Sequence, residues 1–87
     1  MKAINLSNRT YNKIIGLLKK DKSIDEVHEI LCSDIGLYAV KYFGHGTACQ
    51  KRKVEHLWRG ILFILVDHSF THNIDNINEC KRYLKIA

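Results

Sequence analysis

No proline and no low-complexity run occurs in this 87-residue chain. With 46% hydrophobic and 26% charged residues, that composition excludes a disordered tail and fits an ordinary globular domain. Long apolar runs are also missing. The longest, Ile61 to Val66, falls far short of the ~20 residues that a membrane-spanning helix requires. No charged segment followed by an apolar one opens the chain, and the cysteines, Cys32, Cys49 and Cys80, are odd in number. The expectation is a reduced, cytoplasmic protein with no membrane association.

Catalytic signatures are equally scarce. The chain has no glycine-rich phosphate cradle, no Gly-x-Ser-x-Gly elbow, no His-Glu-x-x-His and no recognisable carboxylate pair. Cys49 with His45 or His56 has the residue types of a nucleophile and its base, but nothing completes such a site. A small helical domain also has little volume for a substrate pocket of ~300 Å³ or more. No enzymatic activity and no cofactor are expected. Two pairs, His45 with Cys49 and His68 with His72, have the four-residue step that places ligands on one helical face. One helix between them would hold the pairs nearly 30 Å apart at ~1.5 Å per residue, so no metal site is expected.

What the chain does have is one long amphipathic segment, Val54 to Phe70. Val54, Leu57, Trp58, Ile61, Leu62, Leu65 and Val66 recur at three- and four-residue steps, which predicts a helix. Phe63 and Ile64 widen its apolar face, so it should touch neighbours on more than one side. It is the predicted centre of the fold.

Ahead of it, Ser7 is a good N-cap, with Thr10 as the alternative, for a helix ending near Lys20, and Leu6 and Tyr11 have the spacing of a hydrophobic staple. Tyr11, Ile14, Ile15 and Leu18 form that helix's stripe. Ser23 with Glu26 predicts a capping box for a second helix carrying Ile24, Val27, Ile30 and Leu31 inward. A kink or short break is expected at Ser33 to Gly36, then a helical stretch to Phe43, with a strand at Leu37 to Phe43 as the alternative. Gly44-His45-Gly46 stops that stretch, and Thr47 is the expected cap of the central helix. After a turn at Thr71-His72-Asn73, a last amphipathic helix includes Ile74, Ile77 and Leu84, with Asn73 or Asn76 as its cap. Residues 1–87 thus predict one all-α domain, a small compact bundle of about four helices.

Net charge is +5, unevenly spread. Residues 1–22 carry +5, 23–46 carry −3, 47–59 carry +3, and the remainder balances. The Lys51, Arg52, Lys53 triplet lies early in the central helix, where the dipole disfavours cations, so it most suggests an anionic partner. Lys19, Lys20 and Lys22 are its candidate supports, although lysines at a helix C-terminus also have a local reason to be there. The expected function is non-enzymatic: binding, and inhibiting or regulating, another protein through an acidic surface on that partner. By association alone, small domains of this composition suit stand-alone inhibitors, immunity proteins and anti-defence factors.

The alternative is a nucleic-acid-binding regulator. Tyr11–Lys20, Ser23–Cys32 and Ile35–Phe43 have the rhythm of a helix-turn-helix unit, but the third segment offers one cation, Lys41, and reads as buried. If the basic residues are merely solvated, the remaining candidate surface is Tyr38, Tyr42, His45 and the acids of the second helix.

Overall fold

A computed structural model describes residues 6–70 and 76–85. These residues form five helices and no strand: α1 (Asn8–Lys19), α2 (Ile24–Asp34), α3 (Tyr38–Phe43), α4 (Ala48–Asp67) and α5 (Ile77–Leu84). Short polar side chains set most of the starts. Ser7 accepts the Thr10 amide, Ser23 the Glu26 amide, Thr47 the Gln50 amide and Asn76 the Glu79 amide. Each satisfies one of the orphan N–H groups of a helix's first turn, a contribution of about 1 kcal/mol. The full reciprocal box forms at Thr47, where the Gln50 side chain accepts the Thr47 amide at 2.9 Å. At Ser23 the serine hydroxyl instead donates to the Glu26 carboxylate at 3.2 Å.

The break between α2 and α3 is complete, so the expected four helices become five. The central helix ends at Asp67, three residues before the predicted Phe70. Phe70 follows a turn, its own amide donates to the Leu65 carbonyl at 2.9 Å, and its ring packs against the core. The predicted Thr71-His72-Asn73 turn and Ile74 lie outside the described residues.

α4 packs against every other helix, which makes it the spine of the fold. At ~1.5 Å per residue its 20 residues run about 30 Å, close to the 32 Å longest extent of the molecule. One face meets Ile14 and Leu18 of α1 and Val27, Leu31 and Cys32 of α2, around Ile61, Ile64 and Leu65. A neighbouring cluster joins Leu62 to Cys80 and Leu84 of α5, with Ile24 and Trp58 against it. Full burial of such side chains stabilises the fold by roughly 1.5–3 kcal/mol each. Gly60 lets α4 come close to the start of α1, since a Cβ there would meet the Leu6 Cδ1 atom at 2.8 Å.

Ile30 does not join either cluster and stays half-buried. The inward position belongs to His28, which is 5% exposed. His28 continues the stripe of Ile24 and Leu31, and its Nε2–H donates to the Val54 carbonyl of α4 at 2.8 Å. Its ring lies 5.1 Å from that of Trp58, centroid to centroid. Nδ1 is buried with no hydrogen-bond partner. Burial holds the His28 pKa below its ordinary 6.5, against the opposing pull of the Val54 hydrogen bond.

Candidate interaction surfaces

α3 is too short to wrap its apolar residues inward. Leu37, just before it, is buried, and Val40 packs on the core from one side. Gly44 then ends the helix in the left-handed region (φ 68°), donating its amide to the Val40 carbonyl at 3.2 Å. With one side of a six-residue helix held in this way, the other side faces out. Tyr38 is 44% exposed, Tyr42 43% and Phe43 66%. This corrects the expectation of a buried helix over Ile35–Phe43, of which Ile35 is also exposed.

The Tyr38 and Tyr42 rings, one helical turn apart, lie 4.7 Å between centroids at a 40° tilt. Tyr42 donates its hydroxyl to Glu29 of α2 at 3.0 Å. Loss of hydration, then the Glu29 carboxylate as acceptor and as neighbouring charge, push the Tyr42 pKa up to about 12. Lys41 lies 4.9 Å over the Tyr42 ring and 3.0 Å from the Asp25 carboxylate, with only 11% of its side chain exposed. The outward surface of α3 is therefore aromatic, bordered by carboxylates of α2, and its one cation is already paired. His45 continues it, 6.3 Å from Phe43 ring to ring.

The basic triplet lies on α4 as expected, and all three side chains are exposed. Consecutive helical residues point about 100° apart, so Lys51, Arg52 and Lys53 fan out around the axis and do not form one patch. Arg52 and Lys53 share a shallow groove of about 470 Å³ with Cys49, Glu55, His56 and Arg59, while Lys51 is not among its lining residues. Glu55 accepts the hydroxyl of Tyr83, and the Arg59 guanidinium sits 5.3 Å over the Tyr83 ring, so α5 positions one side of this groove. Lys19, exposed, ends α1, and Lys20, exposed, and Lys22, half-buried, follow in the α1–α2 connection. Next to them Ile24 packs on the cluster of Leu62 and Trp58, whereas His28, one turn further along α2, reaches Val54, so this connection lies towards the C-terminal end of α4 and Arg52 and Lys53 towards its N-terminal end. The two basic zones remain separate.

A second groove, of about 410 Å³, runs between α1 and α2 over Leu31 and Leu57. Lys13 and Asp34 form an ion pair within it, beside Arg9 and Ile35. Cys32 and Cys80 are buried, and burial pushes both thiols up in pKa; Cys49 is exposed. His68 hydrogen-bonds the Tyr11 hydroxyl at 2.7 Å, and its sequence partner His72 lies outside the described residues. Among the described residues no group of three or more His, Cys, Asp or Glu could hold a metal ion, and no helix is long and apolar enough to cross a membrane.

Compared with protein-family models, with curated proteins and with solved structures, the chain matches none.

The aromatic pair was visible in the sequence as Tyr38 and Tyr42. Phe43, its most exposed companion, is absent from that candidate surface, because the segment Ile35–Phe43 as a whole reads as buried. The signal against that reading was the interval between Gly36 and Gly44, which leaves room for only two helical turns.

Proposed function

We propose that this chain acts without catalysis by binding another protein through the outward face of α3, and so inhibits or regulates it. The observation that carries this reading is the distribution of exposed apolar side chains. Of the five large hydrophobic residues left exposed among those described, three, Tyr38, Tyr42 and Phe43, belong to the six-residue α3. Protein interfaces are enriched in aromatic side chains, and tyrosine is over-represented among the residues that dominate their affinity. An inhibitor or immunity-type protein of the cytoplasm is the form of this activity the composition suits.

The second reading, a nucleic-acid-binding regulator, draws on the shared face of Arg52, Lys53 and Arg59. Partner capture with nuclease treatment, followed by binding measurements with the purified partner, separates the two. On the first reading a protein survives nuclease, and the Tyr38→Ser/Phe43→Ser double variant loses it while Lys51→Gln/Arg52→Gln/Lys53→Gln retains it. On the second, the triple variant weakens binding to all sequences alike, and the salt dependence becomes shallower by up to ~3. Retention of a nuclease-resistant partner by the α3 double variant would sink the first reading.

A further inference from the structure

We infer that the α3 face takes a basic segment of its partner, one that presents lysine or arginine among apolar side chains; this rests on the protein-binding reading above. The local charge runs opposite to that of the whole molecule. The chain carries +5, yet residues 23–46, which form α2, α3 and their connections, carry −3; Asp34 is paired with Lys13 in the other groove, while Asp25 and Glu29 both contact α3 against its single Lys41. Asp25, at the edge of this face, keeps 67% of its side chain exposed even while paired with Lys41. Glu29 stands behind the Tyr42 hydroxyl, and Glu26 is exposed beside Asp25 on the first turn of α2.

Rings and carboxylates together are the chemistry that receives a cation. An ammonium or guanidinium over a tyrosine face is attracted by the ring quadrupole, and nearby carboxylates add direct Coulomb attraction. The chain's own Lys41 shows both contacts at once, 4.9 Å over Tyr42 and 3.0 Å from Asp25. Phe43, the most exposed of the three rings, supplies an apolar anchor with no hydrogen-bonding group to satisfy. An acidic partner surface brought against the same face would meet Asp25 and Glu29, and like-charge juxtaposition opposes association. The acidic partner expected from the sequence suits the basic groove of Arg52, Lys53 and Arg59 on α4 and not this face.

Two helical peptides of about twelve residues, identical except that one pairs leucine with lysine and the other leucine with glutamate, provide the test. Each is titrated into the ¹⁵N-labelled full chain at ~150 mM salt, and amide shifts are mapped. The lysine peptide should perturb Tyr38 to His45 and the α2 acids, and bind about tenfold more tightly than the glutamate peptide. Asp25→Asn/Glu29→Gln should abolish that preference, and Tyr38→Ser/Phe43→Ser should abolish binding of the lysine peptide. Equal binding of both peptides at α3 overturns the charge inference and leaves α3 as a contact surface. No perturbation of α3 by either peptide overturns the inference and the proposed contact surface together.

Discussion

Two stretches of this chain, 35–43 and 54–66, are comparably rich in large apolar side chains and have opposite fates. In the second, Ile61, Ile64 and Leu65 are fully buried; in the first, Ile35, Tyr38, Tyr42 and Phe43 reach solvent. Hydrophobicity is the same driving force in both, so the difference lies in geometry. α4 is long enough to meet four other helices, and its stripe finds a partner at every turn. α3 spans about 9 Å at ~1.5 Å per residue and packs mainly on α2 and α4. Leu37, Val40 and the Lys41 stem use up the contacts available to it. A short helix docked by one side leaves its remaining apolar surface for something else.

The sharpest way to break that comparison is to remove one side chain from each stretch. Ile61→Ala should destabilise the fold by about 2–5 kcal/mol through lost burial and an unfilled cavity, read as a fall in the urea midpoint at unchanged slope. A barely altered midpoint would mean that α4 is not the centre of the core.

The second effect belongs to the seam between α2 and α4. Well above pH 6.5, His28 is neutral in both folded and unfolded chains. As pH falls through 6.5 the unfolded chain takes up a proton that buried His28 resists, so stability should fall with pH and level off below the depressed folded pKa. The charges acting on the ring are Lys41 of α3, which reinforces this, and Asp25 of α2 and Glu55 of α4, which oppose it. Denaturation midpoints measured between about pH 7.5 and 5 should decline more steeply for the wild type than for His28→Leu. Parallel profiles would remove His28 from the account of acid sensitivity.

The smallest effect completes the comparison. Phe43→Ser should change stability by no more than about 0.5 kcal/mol, as expected for an exposed site, while weakening partner binding. A loss comparable to that of Ile61→Ala would show that the α3 face is structural.

Much of the fold was legible because it depends on local chemistry. Ser7, Ser23, Thr47 and Asn76 are short polar side chains ahead of apolar periods, and each caps the helix it precedes. The stripe from Val54 to Val66 repeats often enough to fix both the helix and its inward face. The surface of α3 was not legible in the same way, because periodicity reports which residues are apolar and not how many neighbours are present to cover them. His28 was missed for the complementary reason. Its place on the Ile24–Leu31 stripe was available, but a polar residue enters a core only when a partner such as the Val54 carbonyl meets it, and that carbonyl lies 26 residues away in sequence. The basic triplet was read as a unit from adjacency in sequence, whereas adjacency on a helix separates directions.

The cysteines also make the molecule convenient for optical work. Cys32 and Cys80 are buried with raised pKa values, which keeps them protonated and shielded near neutral pH, and Cys49 alone is exposed. A maleimide dye should therefore attach at one position without any engineering of the sequence. It would stand beside Arg52 at the edge of the basic groove, about 13 Å along α4 from Trp58, at ~1.5 Å per residue. That indole is the chain's single tryptophan, so energy transfer between the two has one donor and one acceptor. A dye whose own emission responds when the groove is occupied, while the donor–acceptor transfer holds steady, would report a ligand on α4 with the helix intact.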